Sequence, residues 1–343
     1  MITEQELEQH RLWYFGEGGA QIKQIGSDLI GANLSGANLM GAHLTKAVLT
    51  KANLTEAYLR GANLTEADLH EANLAEANLR CANLTKAYLR GAKMRGANLT
   101  ESDLTEADLT EANMRGANLT KAVLTESDLT EADLSGANLR GAHLTKAVLT
   151  KAYLAEAYLG EAYLGESALI GANLMGANLT DANMRGTNLT KANLTEADLT
   201  GSDLRGANMR GANMGLADLS GTDLRGADLT EANLAGTDLR GADLTDTVGL
   251  WEVERQIAEA ARIYDLIQLE GNHLEMGAWH TCETTHCIAG WSCPNNTEPG
   301  AEASRKLPLL ARFFFSKNGI AKKALYLLAH GLINELNNLE HYR

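Results

Sequence analysis

The chain has 343 residues, with 44 Asp and Glu against 30 Lys and Arg and a formal net charge of −14. That acidity disfavours direct contact with nucleic-acid phosphates, and no stretch approaches the roughly 18 apolar residues of a membrane-spanning helix. Four cysteines in this length do not make a disulfide scaffold. Met1-Ile2-Thr3-Glu4 lacks the basic flank and apolar run of a secretory leader, so a cytoplasmic location is expected.

In chain order, the first predicted element is a helix. Thr3-Glu4-Gln5-Glu6 has the pattern of a capping box, and the helix it starts should reach about Phe15. Leu7, Leu12, Trp13 and Phe15 supply apolar groups, and Gly16-Glu17-Gly18-Gly19 breaks the element. With Ile22 and Ile25, residues 1–26 are expected to cap the N-terminal end of a repeat array.

From Leu29 to Leu244 every fifth residue is Leu or Met, through 44 consecutive pentapeptides, with Met at 94, 114, 184, 209 and 214. Two residues before each stands Ala, or at some positions Ser or Thr. A period of five keeps one face of neither a strand nor a helix buried. It does mark the sides of a coil whose every side is one pentapeptide long. Leu then points inward at the middle of a side, and the small residue points inward near a corner. The residue between them faces out and is usually Asn or Asp, which tolerate turn geometry and bond neighbouring backbone. Two exposed corner residues complete the unit.

The coil period can be weighed from the sequence. Gly141 to Thr150 repeats Gly41 to Thr50 letter for letter, and a shift of 100 residues fits coils of 20 or 25 residues but not 15. With a 20-residue coil, Lys46, Glu66, Lys86 and Glu106 stack in one column, as do Glu126, Lys146 and Glu166. Opposite charges on adjacent rungs are favourable. A 25-residue coil would set Lys121 against Lys146. Four sides per coil are therefore favoured.

The motif Ala-(Asn/Asp)-Leu-x-x, as in Ala62-Asn63-Leu64-Thr65-Glu66 and Ala67-Asp68-Leu69-His70-Glu71, resembles the pentapeptide-repeat family over residues 27–246. The resemblance implies a mainly β fold, a right-handed quadrilateral β-helix of about 11 turns of four pentapeptides. At about 4.8 Å per turn such a rod would be roughly 50 Å long. Some members of the family resemble an acidic DNA duplex and protect DNA gyrase from inhibitors.

Exceptions to the repeat are the candidate contact residues. Tyr153, Tyr158 and Tyr163 take the outward middle position on three successive sides, as do Tyr58, Tyr88, Val48, Val123, Val148, His43 and His143 elsewhere. Such residues suit a strand surface in any case; the three consecutive tyrosines also read as a contact belt. Leu216, after Gly215, breaks the polar corner rule and points to a neighbouring segment or a partner. Cys81 stands alone at an exposed corner.

Composition shifts near residue 247: the remaining 247–343 hold all three Pro and three of the four Trp. Helices are expected near Trp251–Glu270, Pro308–Phe315 and Ile320–Leu336, making a C-terminal α-helical domain. Between them, Trp279 to Cys293 concentrates His280, Cys282, His286 and Cys287. This segment resembles a Trp-His-Cys-x-x-x-His-Cys-x-Ala-Gly-Trp type found in uncharacterised bacterial and phage proteins, with no activity to carry over. The four side chains are a candidate zinc set, although their spacing fits no standard finger. Cys282 and Cys287 are alternatively a redox or catalytic pair, or all of them pack into a small core.

The expected function is a non-enzymatic interaction or structural scaffold. It would be an acidic rod with a helical tail that binds a protein partner or forms a homodimer, with no cofactor, no membrane and no direct nucleic acid contact. The alternatives are a DNA mimic that binds a DNA-processing enzyme such as gyrase, and a metal or redox module in the tail.

Overall fold

The computed structural model describes residues 2–249. Residues 1–233 and 239–248 form one compact unit. Its ladder is made of single bridging residues rather than long strands. Outward middle residues form parallel bridges with the residue 20 positions on, as in Asn33 with Asn53 and Asn38 with Tyr58. The bridges run from Lys23–His43 to Asp228–Val248, in columns that start at Lys23, Asp28, Asn33 and Asn38. One coil is thus four pentapeptides, and each column is one side.

The backbone explains why the repeat has five residues and why Asn or Asp recurs. In the unit 118–122, Asn118 N–H donates to the Ala97 carbonyl of the coil before, at 2.9 Å. Leu119 and Lys121 donate to the Asn138 and Arg140 carbonyls of the coil after, at 2.7 and 3.0 Å. Ala122 closes the corner by donating to Leu119 O at 2.9 Å. One N–H of the five remains, that of Thr120, and it donates to Asn118 Oδ1 at 3.1 Å. An unpaired N–H is costly once it loses water, so the side-chain acceptor completes the set. Where Thr is the next corner residue, its hydroxyl often donates to the same oxygen, as Thr120 does at 2.7 Å.

The turn geometry sits elsewhere than the Asn/Asp preference suggests. The second corner residue carries the left-handed backbone, with φ between 54° and 62° at residues such as Glu71, Lys121 and Leu216. Left-handed backbone costs an L residue about 1 kcal/mol or more. At nearly all of these corners it persists because the N–H is locked onto a carbonyl of the next coil, for example Glu106 N to Thr125 O at 3.0 Å. Glycine is therefore welcome at this corner without being required, and Glu or Lys alternates with it along the chain.

Inside, Leu or Met and Ala from Ala42 to Met214 are buried almost completely. Each buried Leu contributes on the order of 1.5–3 kcal/mol. Hydroxyl residues enter the Ala position by bonding backbone: Ser102 and Ser127 Oγ donate to Leu99 O and Leu124 O at 2.7 Å. Thr187 Oγ1 donates to Met184 O, and Thr222 Oγ1 to Leu219 O at 2.7 Å. The buried Ser167 and Ser202 hydroxyls have no such partner.

Helix α1 spans Glu4–Tyr14 with Thr3 as its N-cap and Phe15 as its C-cap. The capping box is complete. Glu6 N–H donates to Thr3 Oγ1 at 3.2 Å, and Thr3 N–H donates to Glu6 Oε2 at 2.7 Å. Those bonds from Thr3 hold the Glu6 carboxyl below its ordinary range. The buried residue of α1 is His10, not one of the apolar groups the sequence favours. Leu7 and Leu12 are half-buried, and Trp13, Phe15 and Ile25 are exposed. His10 Nδ1 accepts the Ile22 N–H at 3.0 Å, so the ring supplies the acceptor where the chain enters the first coil. Ile22 is buried, and its carbonyl accepts His43 N–H at 2.9 Å, which begins the ladder. A polar residue takes the buried place because the entering backbone needs an acceptor that Leu or Trp cannot give.

Candidate interaction surface

Wherever the outward middle residue is Asn or Asp, from Asp28 through Asp228, its Oδ1 accepts the N–H two residues on. Six consecutive sides lack that bond, those of His143, Val148, Tyr153, Tyr158, Tyr163 and Ala168. The N–H groups of Ala155, Gly160 and Gly165 consequently have no partner among the described residues. The three tyrosines before them are exposed, at 53%, 59% and 46%. Tyr163 stacks on His143 of the previous coil, with ring centroids 4.6 Å apart. The corner residues after the three rings are Ala155, Gly160 and Gly165, where Tyr58 and Tyr88 are succeeded by Arg60 and Arg90. Tyr58 and Tyr88 are exposed to a similar degree, at 51% and 49%, so the corner residue does not decide ring exposure.

A shallow depression of about 420 Å³ adjoins Tyr163, lined also by Gly165, Glu166, Arg185 and Arg205. It offers no His, Cys or Ser for nucleophilic or acid–base chemistry.

The sequence signature of pentapeptide repeats matches in eight copies, over residues 25–61, 52–91, 82–120, 127–164, 157–195, 177–215 and 217–246. The chain belongs to the pentapeptide-repeat family. Among solved structures it is similar to HetL, a pentapeptide-repeat protein involved in heterocyst differentiation regulation in the cyanobacterium Nostoc sp. strain PCC 7120. Identity is 33% over 69% of this chain and 92% of HetL, with a TM-score of 0.29. It is also similar to a pentapeptide-repeat protein of the Arabidopsis thaliana thylakoid lumen, at 34% identity over 29% of this chain and 66% of that one, TM-score 0.23. QnrB1, a plasmid-mediated fluoroquinolone resistance protein, matches at 19% identity over 47% of this chain and 86% of its own, TM-score 0.40. No curated protein matches the chain. Membership makes the repeat segment a β-helix.

On this pentapeptide-repeat surface, about half of the acidic second corners are paired with a base on a neighbouring coil. Within the second-corner columns, Lys46–Glu66, Lys51–Glu71, Lys86–Glu106 and Lys151–Glu131 lie 3.2 to 3.6 Å apart. Lys146 forms no such contact with Glu126 or Glu166. A second pairing runs diagonally, from a first-corner Arg to the second-corner Glu 21 residues on. It joins Arg80–Glu101, Arg90–Glu111, Arg140–Glu161 and Arg210–Glu231, at 2.5 to 3.2 Å. An offset of 20 in the sequence exposes only the straight columns; an offset of 21 shows the diagonal. The Arg80 bond, aided by the Cys81 thiol, holds the Glu101 carboxyl below its ordinary range.

A third pattern lies on the side that starts at Lys23. Arg205 bonds Asp203 and reaches Asp223 at 3.4 Å; Arg225 bonds Asp223 at 2.5 Å and reaches Asp243 at 3.5 Å. The guanidiniums of Arg205 and Arg225 draw the carboxyls of Asp203 and Asp223 below their ordinary range, against the upward push of burial.

Leu216 is 45% exposed, at a left-handed corner. Cys81 is a free, exposed thiol whose Sγ donates to Glu101 Oε2 at 3.4 Å. His280, Cys282, His286 and Cys287 lie outside the described residues, as do the three tail helices expected from the sequence. Among the described residues, no three His, Cys, Asp or Glu side chains gather in a metal-binding group.

Proposed function

We propose that the protein is a non-enzymatic interaction scaffold. Residues 27–246 form a right-handed quadrilateral β-helix of about 11 turns, capped by residues 1–26. Residues 247–343 form a helical domain that binds a protein partner or a second copy. The observation that supports this is how the repeat spends its residues. Leu and Ala fill the interior, and Asn and Asp complete the backbone bonding. Many long acidic and basic corners pair across coils. What remains for recognition is the outer skin, where Tyr153, Tyr158 and Tyr163 stand exposed. Tyrosine suits such a role because it gives large contact area at low entropic cost.

The duplex-mimic alternative needs a continuously negative surface. Glu66, Glu71, Glu101, Glu106, Glu111 and Glu131 each have a Lys or Arg partner, which interrupts it. Affinity capture from a native lysate tests the scaffold reading. The full chain should retain a defined protein at fixed stoichiometry, and a chain lacking residues 247–343 should lose it. Failure to retain any protein, together with a catalytic turnover lost on Cys282→Ser, would contradict the reading.

A further inference from the structure

Four exceptions to the repeat share one edge of the rod. The bridge register places Tyr153 in the column of Asn33 and Tyr158 in the column of Asn38, on the two sides that meet at this edge. Ala155 and Glu156 form the corner between them. Going down the rod, one coil at a time, the same corner becomes Met175-Gly176, Thr195-Glu196 and Gly215-Leu216. Met175 is 43% exposed and Leu216 45% exposed. Four apolar side chains thus lie along one edge, at positions the repeat usually gives to polar groups.

The charge on this edge is unbalanced. From Ser135 to Leu216 its corner residues include no Lys or Arg. Glu156 and Glu196 have no ion-pair partner among the described residues. Asp198 and Asp218 stand on the adjoining side, in the column of Tyr158. The corners of Glu131 and Glu161, by contrast, are neutralised by Lys151 and Arg140. The Ala155 and Gly160 N–H groups add open donors beside the two rings.

We propose that this edge binds an extended, basic segment of a protein partner, with arginine side chains on Glu156 and Glu196 and apolar side chains against Tyr153, Tyr158, Met175 and Leu216. The proposal rests on the scaffold reading and names the chemistry of its partner. Arginine meets both halves of the surface, because its guanidinium bonds carboxylates in a fork and lies over aromatic rings. Glu156 and Glu196 are two coils apart, about 10 Å. A polyproline-II chain rises about 3.1 Å per residue and returns to the same face every third residue, so the fitting segment carries arginines three positions apart. Its backbone carbonyls would accept the open N–H groups.

The test uses the full-length protein and a fluorescein-labelled unstructured peptide with two arginines three positions apart and leucine between them, read by anisotropy at about 0.15 M salt. The parent should bind it, and the same peptide with glutamates should not bind. Glu156→Lys with Glu196→Lys should weaken binding about tenfold or more, as should Tyr153→Asn with Tyr158→Asn. Both doubles place residues the repeat already uses at these positions, and an unchanged unfolding midpoint confirms that they fold. Glu56→Lys with Glu76→Lys carries the same net charge on the same edge farther up the rod, and should change affinity less than about twofold. Equal weakening by the two charge reversals would overturn the proposal, since it would mean diffuse attraction, and so would absence of binding by the parent. A lysate partner held equally by the parent and by the Glu156→Lys, Glu196→Lys protein would also overturn it, while leaving the scaffold reading standing.

Discussion

Leu139→Ala tests the stacked core at mid-rod. Leu139 is fully buried, between Leu119 and Leu159 in the same inward column one coil away on either side. Its backbone is fixed by Leu139 N to Tyr158 O at 2.7 Å, and Gly141 N to Gly160 O at 3.0 Å holds the corner. The substitution removes roughly three methylene equivalents, about 2.4 kcal/mol of transfer energy at ~0.8 each. Collapse into the space is opposed by the ladder, because closing the gap would break hydrogen bonds on both neighbouring coils. A cavity term therefore adds, and the total should be about 3–5 kcal/mol. Denaturant unfolding tracked by far-ultraviolet circular dichroism measures it. A loss below about 1 kcal/mol would show that the column is not sealed, and would refute the packing argument.

Other substitutions separate the remaining forces. Ser202→Ala removes a buried hydroxyl without a partner and should stabilise the rod by about 1 kcal/mol, while Ser102→Ala, which loses a bond to Leu99 O, should not; thermal midpoints distinguish the two. Gly116 has φ 63° and open space where a Cβ would go, so Gly116→Ala should cost about 1 kcal/mol from backbone strain alone. Glu76→Gly relieves the same strain but frees the unfolded chain, and should change stability by less than about 0.5 kcal/mol. Burial lowers the His10 pKa from its ordinary 6.5, an effect the Met40 backbone opposes. Between the lowered value and 6.5 the unfolded chain binds more protons, so this contribution is whole above pH 6.5 and is lost as pH falls. Trp13 fluorescence should accordingly report loosening of α1 on mild acidification, and His10→Phe should abolish that titration; an unchanged titration in His10→Phe would remove His10 as its source.

The repeat was legible because its cause is local and endlessly restated. A Leu at every fifth residue can only be buried in a coil with five-residue sides, and stacked Lys and Glu corners favoured the 20-residue register that the Asn33–Asn53 bridge displays. The helix start at Thr3 was legible for a similar reason, since a capping box involves four adjacent residues. His10 was not, because its burial depends on a backbone N–H 12 residues away that must find an acceptor. Nor was the left-handed corner, because the bond that holds Lys121 there comes from the next coil. The exposed tyrosines were visible as exceptions. The edge they share with Met175 and Leu216 emerges only when the register stacks positions 20 residues apart.

A straight ladder with a 20-residue coil fixes the distance between any two residues of one column. Asn53 and Asn213 share the Asn33 column. Spin labels at Asn53→Cys and Asn213→Cys, with Cys81, Cys282, Cys287 and Cys293 replaced by Ala, should give a narrow distribution centred near 38 Å, about eight steps of 4.8 Å. A 25-residue coil would put the labels on different sides roughly 31 Å apart along the axis. A distribution centred there, or one spread broadly, would contradict the ladder.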